Sequence, residues 1–491
     1  MLFRMIYEEK LAQAAYLIGC LRTGEALVID PQRDVDHYVE EAARNGLRVT
    51  AIAETHIHAD FLSGARELAE RTGATLYLSD EGDENWKYRW LESRSDGGAY
   101  SHRLLRNGDT FTVGNIRIEA VHTPGHTAEH MSFLVTDLGG GSTAPMGIAT
   151  GDFVFVGDVG RPDLLESAAG MEGAADPAAR QLYASLRSFG SMPEYLQVWP
   201  GHGAGSVCGK SLGAVPQTTV GYEKLFNGAL AAAFGDEEEF VAGIVAGQPE
   251  PPPYFARMKM ENRDGPALLR TMPNPPLLYA AELAALASGD EDVVVVDTRS
   301  WPEFREGHAR GALHAPLNRT FTTIVGSYVE PRQRVLLIVE AEDLREAVAA
   351  LTSIGLDNIG GYVPPLEYAM NAGSGEARAP EVEAEELMES AGSGEAYILD
   401  VRSAVEYDAG HLPGAVNIAH TRLAPGLRQI PLGKPVYVHC QSGARSAAAV
   451  AFLRRKGANA VNVRGGYNRI GALMMPAVAV GWFEDQHETA V

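Results

Sequence analysis

The sequence predicts an α/β protein of several domains, and three observations predict it. Over about the first 250 residues, short apolar strand-like runs alternate with helix-like spacing. A stiff Pro-rich stretch, GQPEPPP at 247–253, then ends that pattern. Beyond it one sentence is written twice. VVVVDTRSWPEFREGHARGAL (293–313) and YILDVRSAVEYDAGHLPGAV (397–416) share an apolar strand, Asp-x-Arg, an acidic-aromatic pair, Gly-His and Gly-Ala. Asp297 to His308 and Asp400 to His411 have equal separation, so the second half is read as a domain of about a hundred residues, duplicated.

At 491 residues the chain is too long for one core. The boundaries read from it are 1–250, a linker region at 251–273, 274–373 and 380–491, with GSGEARAPE (373–381) joining the two copies. Apolar residues at 45% suffice for real cores. Forty-one basic against 64 acidic residues leave a net charge of -23, which argues against a nucleic-acid or anionic-membrane partner. The N-terminal stretch lacks a basic region followed by a long apolar core, and charges interrupt every hydrophobic run before bilayer length. The expectation is a soluble protein with no membrane association. Three cysteines, with no C-x-x-C pair, argue against a disulfide framework or a thiolate zinc cluster and fit a reducing cytoplasm.

In chain order, LVIDP (Leu27 to Pro31) reads as a buried strand ending in a turn, and Val35 to Asn45 as a helix. The run Val49 to Ala53 is a strand that gives way to His56, His58 and Asp60 on alternate residues; helical spacing resumes at Leu62, Ala65, Leu68 and Ala69. Imidazoles and a carboxylate at the mouth of a strand-to-helix turn are N and O donors for a borderline divalent metal. Further strands are expected at TLYLSD, Ile116 to Val121, Met131 to Val135, Gly147 to Thr150 and Gln197 to Trp199. After Val121 comes HTPGHTAEH, with His122, His126 and His130 around a Pro-Gly turn; after Thr150 come Gly151 and Asp152; after Trp199 comes PGHGAGSVCGK with His202 and Cys208. Four loops that each follow a strand can bring their ligands to one face of a layered sheet.

These motifs, H-x-H-x-D, P-G-H-T, G-D and P-G-H in that order, resemble those of the metallo-β-lactamase superfamily, and the resemblance implies an αββα sandwich over about residues 1–245 with its metal site on one edge. The superfamily pattern continues H-x-H-x-D-H, whereas the sixth position here is Phe61, which argues against a binuclear site. The members most resembled are persulfide dioxygenases, which hold a single Fe(II). Carried over, the resemblance implies one Fe(II) per chain on His56, His126 and Asp152, with zinc as a metal the purified protein could carry. It puts His58, Asp60 and His202 around that site, with Arg161 and Asp163 of GRPD lining it. Two imidazoles and one carboxylate leave positions open for dioxygen and a substrate sulfur.

In the later repeat, PVYVHCQSGARSAAAVAFLRRKG reads as a strand, a loop from Cys440 to Arg445 and an Ala-rich helix. A thiol there faces the helix N-terminus and successive backbone N–H groups with Arg445 close by, a setting that favours a nucleophilic thiolate. D-x-R, GH-x-P-GA and C-Q-S-G-A-R resemble the rhodanese family of sulfurtransferases. The resemblance implies two α/β domains with parallel sheets, Cys440 and Arg445 as catalytic residues, and Gln441, Ser442, Gly443 and Ala444 as the anion-binding loop. In the earlier copy the aligned loop is EAEDLR (340–345), with Glu340 in place of the cysteine, so that copy is expected to be silent, a spacer or docking surface.

Cys20 in YLIGCLRTG is read as a core residue; for Cys208 a role in handling persulfide and simple loop burial both stay open. His37, His102, His314, His420 and His487 are read as surface groups. Together the resemblances imply a fusion that oxidises a low-molecular-weight thiol persulfide (glutathione, coenzyme A or bacillithiol type) with O2 to sulfite and thiol. Cys440 then passes sulfane sulfur to sulfite, giving thiosulfate. A homo-oligomer is expected from family resemblance. The alternative is a binuclear zinc thioester hydrolase of the glyoxalase II kind carrying rhodanese modules.

Overall fold

The computed structural model describes residues 1–167, 172–210, 212–288, 290–371, 376–393 and 396–474. His487 and residues 373–375 of the joining stretch lie outside them. Two compact units result, Met1–Ala377 and Arg378–Val491.

The first unit opens with a six-stranded sheet in chain order: β1 (Leu2–Glu8), β2 (Gln13–Cys20), β3 (Glu25–Ile29), β4 (Arg48–Ala53), β5 (Thr75–Ser79) and β6 (His102–Leu105). The first three are antiparallel and β3 to β6 parallel, because helices Asp36–Arg44 and Ala65–Thr72 return the chain to the same end. A second six-stranded sheet runs β7 (Thr110–Val113), β8 (Ile116–His122), β9 (Met131–Asp137), β10 (Gly147–Gly151), β11 (Gln197–Pro200) and β12 (Thr218–Thr219).

Alternation places one face of each sheet against the other. Tyr16, Ile18, Leu27 and Ile29 meet Ile116, Ile118, Phe133 and Trp199 in the core between the sheets, and Cys20 belongs to it, as its apolar context suggested. The opposite faces are covered by helices. Tyr38, Leu68 and Leu76 form one outer core, and Leu182, Leu186, Phe189 and Val198 the other. The result is the four-layered α/β sandwich, with loops 54–64, 123–130, 152–163 and 201–208 following β4, β8, β10 and β11.

Further along the same unit lies a four-stranded parallel sheet of β13 (Val293–Asp297), β14 (Leu313–His314), β15 (Arg334–Ile338) and β16 (Ile359–Val363), ordered β14-β13-β15-β16. The second unit holds β17 (Glu381–Val382), β18 (Tyr397–Asp400), β19 (Val416–Asn417), β20 (Val436–His439) and β21 (Ala460–Val463), ordered β17-β21-β20-β18-β19. Leaving β17 aside, the two sheets have the same strand order. The repeated Asp-x-Arg and Gly-His serve one purpose in both: Arg402 pairs with Asp400 (2.6 Å) and donates to Gly410 O (2.8 Å), and Arg299 pairs with Asp297 (2.7 Å) and donates to Gly307 O (2.8 Å). Each pair is a buried charge neutralised by its neighbour and a turn fastened by the same guanidinium.

Three expectations are corrected. The stretch read as a linker at 251–273 contains helix Phe255–Asp264, with Phe255, Met258 and Asn262 buried, because three prolines end at Pro253 and leave the chain free to turn into a helix. Register also places a different residue opposite Cys440. Asp297 pairs Ile338 as Asp400 pairs His439, so the next residue, Val339, is the counterpart of Cys440, and the loop from β15 to helix Leu344–Ser353 is one residue longer than that from β20 to helix Ala444–Arg455. Finally, His314 is buried, its Nε2 bonding Arg299 O at 3.2 Å. Among the described residues no helix is long and apolar enough to cross a membrane.

Candidate metal centre and sulfur-transfer loop

The loop after β4 is almost wholly buried, so its polar groups must find partners. Asp30, in the turn after β3, has φ +51, a left-handed conformation that Asp tolerates. In that posture its carboxylate accepts from Thr55 N (2.7 Å) and Thr55 Oγ1 (2.8 Å) and faces His58 Nε2 at 3.3 Å. Burial pushes the His58 imidazole down, but Asp30 outweighs it and holds it up at about 9. His58 is therefore the cationic partner of a buried carboxylate, and the ring of Phe61, fully buried, packs 4.4 Å from it.

His56 is set differently. Thr55 Oγ1 gives its proton to Asp30 and so can accept from His56 Nδ1 at 3.0 Å, which leaves a lone pair on Nε2, an atom buried with no hydrogen-bond partner. His126 follows the same rule: Nδ1 donates to Arg161 O (3.1 Å) and Nε2 lies 3.6 Å from Asp152 Oδ2. Burial lowers both imidazoles, His56 strongly, so both are neutral donors. Asp152 is oriented by its own N–H, which donates to His130 Nε2 (3.2 Å), and both of its carboxylate oxygens are buried without a hydrogen bond. Gly151 has φ +49, and a side chain there would strike Thr55 and His130, which is why the G-D pair needs glycine. One donor atom from each of His56, His126 and Asp152 lies within 4.8 Å of the others. Two neutral imidazole nitrogens and a carboxylate that converge in this way fit a divalent cation with open positions.

A second group adjoins the first. Asp60, His202 and Cys208 also place donor atoms within 4.8 Å of one another. His202 donates from Nδ1 to Ala12 O (3.1 Å), and its Nε2 lies 3.3 Å from Asp60 and 3.4 Å from Asp152. Burial, then the carboxylates of Asp60 and Asp152, push the Cys208 thiol well up, so it is a protonated thiol in this arrangement. Arg161 grips Asp163 with two bonds (3.0 and 2.7 Å) and donates to Val207 O and Pro249 O, so it positions the loop leading to Cys208 and the carbonyl that orients His126.

In the second unit, Cys440 follows β20 and is buried; its Sγ accepts from Gly443 N at 3.2 Å and Ser446 Oγ at 3.6 Å. Gly443, with φ +103, turns the loop into helix Ala444–Arg455. Gln441 bridges Arg402 and Asn468, while Ser442 and Ala444 stand exposed at the rim. Arg445 is held by two 2.6 Å bonds to Glu406. Burial pushes the Glu406 carboxyl up, but Arg445 outweighs it and holds it at about 2, below the ordinary 4.5. A carboxyl depressed on folding contributes stability that is complete above its unfolded value and is lost as the pH falls through its folded one. The protection of amides in helix Ala404–Asp408, after correction for intrinsic exchange, is therefore expected to fall as the pH drops from about 4.5 toward 2, and Glu406→Gln to flatten that response.

Residues 9–202 match the family described as the metallo-beta-lactamase superfamily, and residues 383–472 the rhodanese-like domain. A metallo-beta-lactamase from Staphylococcus aureus subsp. aureus COL is 39% identical, with a TM-score of 0.65 over 74% of this chain and 99% of that one. The chain belongs to the metallo-beta-lactamase superfamily. It carries a C-terminal rhodanese-like domain. ETHE1 from Myxococcus xanthus is 29% identical over 54% of this chain and 98% of that one, with a TM-score of 0.41. A hydroxyacylglutathione hydrolase of Nitrosococcus oceani is 30% identical over 38% of this chain and 60% of that protein. The chain spans about half the length of the first curated relatives it matches.

Several residues that shape the candidate metal centre carry little distinguishing signal in the sequence. Asp30 was legible only as a strand end, and His130 only as one more histidine, although it orients Asp152. Glu129, fully buried, accepts Ile57 N at 2.7 Å. Helix Phe255–Asp264 was missed altogether. A buried acid beside a histidine motif was the one available signal.

Proposed function

We propose that this chain is a sulfide-detoxifying enzyme with two activities: oxidation of a thiol persulfide by dioxygen, and transfer of sulfane sulfur to sulfite. The observation that carries the first is the donor set itself: donor atoms of His56, His126 and Asp152, all buried, converge within 4.8 Å, and His56 Nε2 and both Asp152 carboxylate oxygens have no hydrogen-bond partner. Iron(II), when bound there, supplies the redox chemistry with dioxygen that zinc lacks. The outer sulfur of a persulfide R–S–SH gives up four electrons to O2. With one water the products are R–SH, sulfite and two protons, and the S–S bond breaks. The neutral imidazoles leave the carboxylate charge to balance the metal, and Phe61 and Phe155 keep bulk water from the site.

The second activity resides on Cys440. Its thiolate takes the outer sulfur of a persulfide, releasing the thiol, and passes that sulfur to sulfite to give thiosulfate. The amide of Gly443 steadies the sulfur, and Arg445, oriented by Glu406, offers its charge to the anion. In this reading the middle sheet is a rhodanese-like domain without a nucleophile, because Val339 and Glu340 occupy its loop, and the protein works in a reducing cytoplasm. The thiol carrier is of the glutathione, coenzyme A or bacillithiol type.

The test is oxygen uptake by iron-loaded full-length protein given glutathione persulfide. One sulfite per O2 is expected, and no uptake overturns the dioxygenase reading. A specific observation favours a second reading, a two-zinc thioester hydrolase: Asp60, His202 and Cys208 form a donor group beside the first. The hydroxyacylglutathione hydrolase likeness points the same way. Two zinc ions per chain with hydroxyacylglutathione cleavage would establish it.

A further inference from the structure

The loop that presents His56 to Asp60 is held from outside the sandwich. Asn262, on helix Phe255–Asp264 and 2% exposed, donates from Nδ2 to the carbonyls of His58 (2.8 Å) and Phe61 (2.7 Å). Its Oδ1 accepts the N–H of Ser63 at 2.8 Å. One amide thus satisfies three backbone groups that bracket Asp60. Only a side chain with both donors and an acceptor can do this. One turn earlier on the helix, Lys259 faces Glu129, the carboxylate that takes the N–H of Ile57 between His56 and His58.

The middle domain holds the other side. Its Ser353 carbonyl accepts the N–H of Leu62 at 2.7 Å, and its Ile354 carbonyl accepts from Arg257 of the same helix at 2.6 Å. Tyr254 packs its ring where a side chain on Gly326 would stand. Arg33, nearly buried, makes two bonds to Asp357 (2.7 and 3.0 Å) and donates to Thr352 O and Ala267 O. Among the described residues, the bonds from Asn262, Glu129 and Ser353 all end on the backbone of loop 54–64, which carries His56, and on none of the three donor side chains.

We infer that the domain lacking a nucleophile, together with helix Phe255–Asp264, is a built part of the metal centre: Asn262 is a positioning residue for the ligand loop, and the Arg33–Asp357 clasp seats the domain that supports it. The inference rests on the reading that His56, His126 and Asp152 hold the metal. It gives the domain a role that needs no thiol.

The test uses the full-length chain with cobalt(II) as the probe, its affinity measured by chelator competition and its coordination by the visible absorption band. In Asn262→Asp the carboxylate cannot donate to two carbonyls. Cobalt affinity is expected to fall about 10–100-fold with a changed band, while the resistance of Met1–Ala377 to limited proteolysis, which reports that this unit is folded, is retained. Asp357→Asn, at a partly exposed position remote from the donors, is expected to weaken cobalt binding in the same direction by about threefold or more, and it decides the matter if Asn262→Asp does not fold. Unchanged affinity and band in a folded Asn262→Asp, or in Asp357→Asn where that variant decides, overturns the inference. Because cobalt binding is read directly, failure of the dioxygenase reading, seen as absent oxygen uptake, is a separate result.

Discussion

Cys440→Ser is expected to abolish thiosulfate formation, by a factor of about a thousand or more, and to leave persulfide-dependent oxygen uptake within about twofold of the parent. The hydroxyl of serine is isosteric enough to keep the Gly443 and Ser446 hydrogen bonds that surround Sγ, so the loop stays formed and only the nucleophile is lost. Serine does not ionise near neutral pH and cannot store sulfane sulfur as a persulfide. Sulfite should accumulate in place of thiosulfate, and an oxygen electrode beside a thiosulfate assay reads both quantities in one reaction. Loss of both activities would show that the two sites do not work independently.

His126→Ala is expected to do the opposite. Removing one of three donors leaves Asp152 and His56 to hold the cation, and the alanine leaves the carbonyl of Arg161 and the Asp152 carboxylate facing a cavity. Iron content should fall below about a tenth per chain, and oxygen uptake by about a hundredfold or more, while transfer of sulfur from thiosulfate to cyanide through Cys440 continues. Elemental analysis of the purified variant and the two assays check this. Full iron occupancy with normal oxygen uptake would remove His126 from the ligand set and with it the proposed centre. The same experiment separates the two functional readings, since a two-zinc site retaining Asp60, His202 and Cys208 would keep about one metal ion on the second group.

Much of the centre was legible before any coordinates, for a physical reason. Metal donors need particular side chains, and a sheet edge accepts them only where a strand ends, so alternating apolar runs that stop at His56, His126, Asp152 and His202 already name the loops. Cys440 was legible because a thiol followed by Gln, Ser, Gly and Ala and then a helix is a poor core sequence and a good anion cradle. The two Asp-x-Arg motifs were legible as a repeat, and in both a buried carboxylate and a guanidinium two residues apart pair with each other.

Less could be read where a role depends on direction. Nothing local distinguishes His56, whose donor atom converges with those of His126 and Asp152, from His58, whose Nε2 lies 3.3 Å from the carboxylate of Asp30 twenty-eight positions away. Glu340 matched Cys440 by counting back from the helix, yet strand register puts Val339 there, since an added loop residue is invisible until the two strands are paired. Helix Phe255–Asp264 hid behind three prolines and a weak apolar pattern, because the face it buries is polar and bonds to a backbone.

Sequence alone, then, pointed to the kinds of chemistry proposed: metal-donor residue types on strand ends, a thiol at a helix start, and a repeated motif set without one. Tertiary structure alone decided which histidine nitrogens converge with Asp152, that Asp60, His202 and Cys208 gather in a group of their own, and that Asn262 and Ser353 bond the loop carrying His56. The difference is one of range. Side-chain chemistry and strand periodicity are written within a few residues, whereas the partner that spends or frees a buried lone pair arrives from a distant part of the chain and is chosen only when the layers pack.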